Sequence, residues 1–232
     1  MKKVLIEKDT SKNPLAMMGM YAGECWGSVI DDVDANKKRG MSCLKDGHGR
    51  VTEFPQIYIK ITGFSARFIR ELYTHIGGSP TRLQASTRYI NYQNGFDYIV
   101  PNKIEANDEA KTIYKETMNA ILEGMIKLQD LDIPKEDIAN LLPLGMTSTV
   151  VLRTNLRMLI DMSKQRLCTR AYWEYREFMR LLIEELKEYD EDYIYICDNY
   201  LGPKCDFLGY CPESKSCGRW DKGSSERKLP RN

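Results

Sequence analysis

The feature that most constrains the fold is a strand pattern followed directly by a helix pattern, which occurs twice. In residues 56–62, isoleucines at every second position alternate with polar residues, as in a half-buried strand. Residues 64–74 then repeat large apolar side chains at helical spacing. The β-branched residues 147–152 predict a second strand, and residues 155–166 predict the helix after it.

Between these pairs lies a helical block. Residues 107–128 predict a long helix capped by Asn107 or Asp108, and a shorter helix follows at 134–142. A further helix is expected at 169–187. We therefore predict an α/β protein of the α+β type, with a central mixed sheet flanked by helices and an added helical block. The sequence contains neither a GxGxxG motif nor a P-loop, so neither Rossmann nor Walker phosphate binding is predicted.

The pattern of residues 1–50 is less regular than that of the later segments. Residues 4–6 predict a short strand, and residues 31–49 are polar and loop-like. Gly63 is expected to end the first long strand, since glycine interrupts strand patterns.

Length and charge narrow the classes of function. The 232 residues, 42% hydrophobic, predict a single domain over residues 1–218 and a mobile basic tail over 219–232. The net charge of +1 gives no global field for a nucleic acid or a membrane partner. No apolar run approaches the roughly 20 residues that span a bilayer. The three apolar residues near the start, Val4-Leu5-Ile6, are too few for the apolar region of a signal peptide. We expect a cytoplasmic protein.

The chain contains seven cysteines, an odd number that argues against a disulfide framework in the cytoplasm. Four lie in the segment 197–217, without the short CxxC spacing of most zinc sites: Cys197, Cys205, Cys211 and Cys217. Reduced thiols are the favoured interpretation, and zinc remains an alternative. Cys168 is expected to be buried, so the sequence predicts no covalent nucleophile.

Two residues on the helix at 155–166 suggest anion binding. Asn155 and Arg166 are eleven residues apart, so both project from one helix face. An arginine there can donate two parallel hydrogen bonds to a carbonyl or phosphate. The alternative is an ion pair with Asp161 or a distant carboxylate. Arg157 and Asp161, four residues apart, are expected to pair within the helix.

Further candidate binding residues lie near glycines that interrupt the helix and strand patterns. Ser86 and Arg88 can hold a phosphate, or can belong to a solvated polar loop. His48 lies between two glycines, which suggests contact with a flat group. His75 follows a predicted helix, where it can simply favour the helix dipole.

The order of these motifs resembles the flavin-dependent thymidylate synthases. Residues 47–53, the strand at 56–62, Gly63-Phe64-Ser65-Ala66-Arg67 and Ser86-Thr87-Arg88-Tyr89 look like the first half of that family. Leu142-Pro143-Leu144, Asn155-x-Arg157, Arg166 and Ala171-x-Trp173-Glu174-x-Arg176 look like the second half. The resemblance covers roughly residues 45–185.

The resemblance implies a sheet flanked by helices and a homotetramer with active sites at subunit junctions. It implies non-covalent FAD and reductive methylation of dUMP to dTMP, with methylenetetrahydrofolate as carbon donor and NADPH as reductant. No metal and no enzyme nucleophile are needed. Arg166 and Ser86 match catalytic positions. The dUMP-binding positions are Gln84, Ser86, Thr87, Arg88 and Arg166. The flavin-side positions are His48, Glu53, His75, Arg82, Asn155, Arg157 and Asp161.

Several positions depart from the family pattern. Thr74 and Ile76 stand where arginines flank the histidine, and nine residues rather than seven separate Ile76 from Ser86. The other departures are Gln84 for glutamate, Glu71 for glutamine, Ala139 for arginine and Asp161 for asparagine.

Lost cations should weaken anion binding, since a charge-assisted hydrogen bond contributes about 1.5–3 kcal/mol. We hypothesise that Arg82, in the longer loop, replaces one missing arginine. Two alternatives remain: an enzyme of the same fold that modifies another pyrimidine nucleotide, and a non-catalytic nucleotide-binding paralogue.

Overall fold

The computed structural model describes residues 1–78, 80–92 and 94–222. Within them, four strands form one antiparallel sheet in the order β1-β2-β4-β3. The strands are β1 (Lys3–Ile6), β2 (Gln56–Ser65), β3 (Thr81–Gln84) and β4 (Thr147–Asn155). The predicted α/β class is confirmed, although the strands run antiparallel where mixed directions were expected.

The helices account for most of the remaining described chain. They are α1 (Pro14–Cys25), α2 (Val33–Lys45), α3 (Ala66–Leu72), α4 (Asn102–Glu105), α5 (Asp108–Asp130), α6 (Lys135–Ile138), α7 (Leu156–Arg166), α8 (Trp173–Tyr189), α9 (Glu191–Tyr200) and α10 (Lys204–Leu208). Two 3-10 helices, Gly49–Glu53 and Ala139–Leu141, add to these.

The chain divides into two compact units that interleave in sequence. The first comprises Met1–Val4, Lys60–Thr74 and Thr81–Leu152. The second comprises Leu5–Ile59, His75–Pro80 and the described part of Arg153–Asn232. The single-domain assignment of residues 1–218 stays a prediction, and residues 223–232 of the expected tail lie outside the described residues.

The first unit is organised by β2 and the helical block. At the end of β2, the amide of Ala66 donates to the carbonyl of Met146 at 2.8 Å. The side chain of Asn107 accepts from the amide of Ala110 at 2.9 Å, so the predicted cap of α5 is confirmed. The buried apolar side chains of this unit include Phe64, Phe68, Ile69, Leu72, Met118, Met125 and Val150.

In the second unit, helices α1 and α2 pack with their backbones in contact. A Cβ on Gly19 would lie 1.8 Å from the carbonyl oxygen of Asn36, and one on Gly40 would lie 2.1 Å from that of Leu15. Only glycine permits this approach. The core of the unit also includes Leu156, Leu159, Met162, Tyr175, Phe178, Leu182 and Tyr193.

Two expectations were wrong. The polar segment 31–49 contains helix α2, begun by Asp32, whose carboxylate accepts from the amides of Asp34 and Ala35. Capping and the contact with α1, rather than an apolar stripe, account for this helix. Gly63 does not end β2. It lies inside the strand with a φ of +72°, which glycine adopts readily, and a side chain there would meet the backbone of Met1.

Candidate active site

Helix α7 carries three of the predicted site residues, Arg157, Asp161 and Arg166, and a fourth, Asn155, fixes its start. This buried side chain accepts from the amide of Met158 at 3.0 Å, which satisfies one of the unpaired donors of the first turn. A Cβ on Gly78 would lie 2.6 Å from Nδ2 of Asn155. Asn155, a predicted flavin residue, therefore also sets the position of the helix that bears Arg157 and Arg166.

At the other end of α7, Arg166 contacts His75. Nε of Arg166 donates to Nε2 of His75 at 2.9 Å, although the two are 91 residues apart in sequence. Of the two alternatives expected for Arg166, the structure does not show the pair with Asp161, which instead accepts from Lys164 at 3.3 Å. A pair with a distant carboxylate stays a prediction.

The predicted pair between Arg157 and Asp161 is also wrong. Nη1 of Arg157 donates to Oε1 of Glu53 at 2.5 Å. Glu53 ends the 3-10 helix Gly49–Glu53, so the fold offers Arg157 a partner outside its own helix. The contact joins two of the predicted flavin-side residues.

A pocket of about 270 Å³ brings three predicted flavin-side residues together. His48, Arg157 and Asp161 line it. A Cβ on Gly49 would lie 3.7 Å from the guanidinium carbon of Arg157, so the backbone passes close to this cation. Sequence reasoning missed Cys43 and Tyr200, which also line the pocket and carried no motif that could have marked them.

Four of the five predicted dUMP-binding residues lie in the first unit, at the end of β3: Gln84, Ser86, Thr87 and Arg88. The amide of Arg88 donates to Oγ of Ser86 at 3.3 Å, and the carbonyl of Ser86 accepts from the amides of Tyr89 and Ile90. This compact turn follows Gln84, and Thr87 lies within it. Nε of Arg88 lies 3.1 Å from Oε2 of Glu136, with both side chains largely exposed.

Arg82 lies on β3 itself, in a segment that was expected to be a loop. Its Nη1 donates to the carbonyl of Tyr73 at 3.3 Å, and its guanidinium carbon lies 5.0 Å from the centre of the Tyr73 ring. These contacts hold the side chain next to the C-terminus of α3. Its role in flavin binding stays a prediction.

One residue that sequence reasoning missed contacts both Arg166 and His75. Tyr175 lies in the first turn of α8 and is fully buried. The guanidinium carbon of Arg166 lies 4.5 Å from its ring centre. The residue lies within the Ala171–Arg176 motif, but no spacing rule pointed to it.

A second pocket of about 390 Å³ is lined by Cys168, Cys205, Cys211 and Cys217. Across residues 1–78, 80–92 and 94–222, no group of three potential ligands is placed to hold a metal ion. All seven cysteines are free, and Cys168, expected to be buried, is partly exposed. The same described part of the chain contains no helix long and apolar enough to span a membrane.

Polar side chains cluster at two places, one in each unit. Cationic, imidazole and carboxylate side chains gather around α7, and a serine and an arginine share a tight turn in the first unit. The groups around α7 suit a polar planar ring, and the serine and arginine of the turn suit an anion.

Comparison with known proteins identifies the family. Residues 5–190 match the family model described as thymidylate synthase complementing protein. The chain is 33% identical over 186 residues to a flavin-dependent thymidylate synthase of Pyrococcus abyssi, covering 79% of this chain and 74% of that protein. It is 32% identical over 196 residues to that of Thermococcus kodakarensis, covering 83% and 78%. The chain belongs to the flavin-dependent thymidylate synthase family.

A solved structure is similar in fold. A crystal structure of Thymidylate Synthase X from Helicobacter pylori with FAD and dUMP aligns with a TM-score of 0.67 at 15% identity. The alignment covers 87% of this chain and 99% of that one. The predicted family and fold are both confirmed.

Proposed function

We propose that this chain is a flavin-dependent thymidylate synthase that converts dUMP to dTMP, with FAD as cofactor, methylenetetrahydrofolate as carbon donor and NADPH as reductant. The observation that carries the proposal is the contact between Arg166 and His75 at 2.9 Å. It joins a residue that matches the pyrimidine side of the family site to one that matches the flavin side. Family membership supports the same activity.

The residues around the 270 Å³ pocket fit FAD by their chemistry. His48, Arg157 and Asp161 offer donors and acceptors that suit the edge of an isoalloxazine ring, and Arg157 offers positive charge to a diphosphate. Asn155, Glu53 and His75 would complete the flavin-side set. When bound, FAD supplies the redox chemistry, and the protein supplies binding and orientation.

The chain's own residues would hold and polarise the nucleotide. Ser86 and Arg88 would bind dUMP together with Gln84 and Thr87, with the arginine fork directed to the phosphate. Arg166 would stabilise negative charge that develops on the pyrimidine ring. Since Nε of Arg166 donates to His75, the guanidinium is oriented before the substrate arrives.

The proposal includes a homotetramer in the cytoplasm. Exposed apolar side chains in and after the helical block support assembly: Ile113 is 58% exposed, Leu131 70% and Leu144 51%. The seven free cysteines suit a reducing compartment. Light scattering on the eluting protein would give four times the 26.9 kDa chain mass if this is right.

The test is product analysis. Purified protein is incubated with FAD, NADPH, methylenetetrahydrofolate and dUMP, and the nucleotides are separated against a dTMP standard. We expect dTMP with turnover. Flavin that binds and is reduced without forming dTMP would favour another pyrimidine nucleotide as substrate. Failure to bind flavin at all would favour the non-catalytic paralogue.

A further inference from the structure

Tyr175 lies against both residues of the Arg166–His75 contact. Its ring centre is 4.5 Å from the guanidinium carbon of Arg166 and 5.7 Å from the centre of the His75 ring. The ring planes of His75 and Tyr175 are inclined by 59°. The side chain of Tyr175 is fully buried, so one fixed surface faces two groups of the proposed site.

The contacts restrain different parts of Arg166. The hydrogen bond to His75 is made by the Nε–H group, and the Tyr175 ring lies under the guanidinium carbon. A cation over an aromatic face is attracted by the ring quadrupole, more strongly where water is excluded. Both contacts restrain the orientation of the Arg166 guanidinium.

Tyr175 is itself restrained by contacts within helix α8 and at its start. Its ring meets the ring of Phe178 edge-on, with centroids 5.8 Å apart and planes at 81°. Its amide donates to the carbonyl of Tyr172 at 3.0 Å as α8 begins. A ring anchored in a helix and against a buried phenylalanine gives a rigid platform.

We propose that Tyr175 is a positioning residue, which holds Arg166 and His75 in the orientation that binds and polarises the pyrimidine nucleotide. The inference rests on the proposed function. It also bears on the departures from the family pattern, because Thr74 and Ile76 supply no cation beside His75. In this chain Arg166 lies beside the imidazole, and Tyr175 supports both groups.

The experiment compares three variants of the full-length protein. Tyr175→Phe keeps the ring, Tyr175→Leu removes the aromatic face, and Tyr193→Leu is the control for loss of a buried ring in the same unit. Each is measured for kcat and KM with dUMP, for dUMP affinity and for thermal unfolding. The ¹⁵N resonances of the two histidines are recorded without ligands, and His48 serves as the internal reference.

We expect Tyr175→Phe to stay within about 2-fold of the wild type, because it keeps the aromatic face. Tyr175→Leu should weaken dUMP binding or kcat/KM by roughly 2- to 30-fold beyond Tyr193→Leu, which corresponds to the strength of a cation–π contact. The Nε2 resonance of His75 should change in Tyr175→Leu but not in Tyr193→Leu, and that of His48 should change in neither.

Equal kinetics and unchanged His75 resonances in the two leucine variants would overturn the proposal, and Tyr175 would then be an ordinary core residue. If Tyr175→Leu does not fold, Tyr175→Met is used, since methionine fills irregular space without an aromatic face. The histidine resonances need no activity. A wild type that makes no dTMP, with a His75 signal that still depends on Tyr175, would reject the function and keep the positioning role.

Discussion

Arg157 donates to Glu53 at 2.5 Å, although the two residues are 104 positions apart. The pair joins α7 to the 3-10 helix Gly49–Glu53, both in the second unit. Both side chains are about half exposed, at 50% and 45%, so the pair adds little to stability. Its importance lies in fixing a guanidinium at the edge of the 270 Å³ pocket.

Arg157→Ala should therefore lower FAD affinity much more than stability. We expect roughly a 10- to 150-fold loss of affinity, the equivalent of one charge-assisted hydrogen bond. The free energy of unfolding should fall by less than about 1 kcal/mol. Flavin titration and denaturant unfolding measure the two effects. Lys187→Ala is the matched control, because it removes a cation from another exposed pair, with Asp198. Equal FAD affinity in both variants would contradict the assignment.

Arg88→Ala should weaken dUMP binding with little change in stability. The Arg88–Glu136 pair is exposed, so its loss costs little, whereas a lost phosphate contact costs about 10-fold or more. Isothermal titration with dUMP checks this. Glu136→Gln is the control, since it removes the partner and leaves the arginine in place. A drop in affinity in Glu136→Gln as large as in Arg88→Ala would point to the ion pair itself.

Arg82→Ala tests whether this residue replaces a missing arginine. If it does, flavin or dUMP affinity should fall by about 10-fold or more. Arg70→Ala, on α3, removes the same charge from an exposed helix position and should leave both affinities unchanged. Unchanged affinities in Arg82→Ala would confine Arg82 to its observed contacts with Tyr73.

The cysteines should differ in reactivity. A hydrogen bond from Thr169, with a smaller contribution from the amide of Arg219, lowers the pKa of Cys217 below its ordinary value. Burial raises the pKa of Cys197 to about 12. Since the thiolate is the nucleophile, iodoacetamide near neutral pH should modify Cys217 well before Cys197. Peptide mapping by mass spectrometry over time gives the order, and early alkylation of Cys197 in folded protein would contradict it.

Burial should also make the protein lose stability at high pH. Desolvation raises the pKa of Tyr193 and that of Cys197, so the folded state resists deprotonation of both. Stability is complete below the unfolded pKa of the thiol, near 9.0, and declines as pH rises toward the folded value of about 12. For one such thiol the loss between pH 9 and 11 is about 2 kcal/mol.

Denaturant unfolding over that pH range measures the slope. Cys197→Ala should flatten it, because the titrating thiol is gone, while Cys25→Ala, at an exposed position, should leave it unchanged. An identical slope in both variants would show that Cys197 does not contribute.

Local sequence patterns predicted those strands and helices whose backbone conformation depends on residue types close together in the chain. The alternating isoleucines gave β2, Asn107 gave the start of α5, and Asn155 begins α7. Helix α2 was missed because its stability comes from a cap and from close contact with α1, which no periodicity reveals. Strand β3 was missed because four residues are too few to show alternation.

By itself, the sequence determined the α/β class, the family and most of the candidate residues, since these depend on residue type and order along the chain. Only the tertiary structure decided the partners of those residues. Spacing favoured Asp161 as the partner of Arg157, and the fold supplied Glu53 instead. Spacing left Arg166 open, and the fold placed it between His75 and Tyr175. Contacts between residues about 100 positions apart depend on how helices and strands pack, and the sequence encodes that packing only through the whole core.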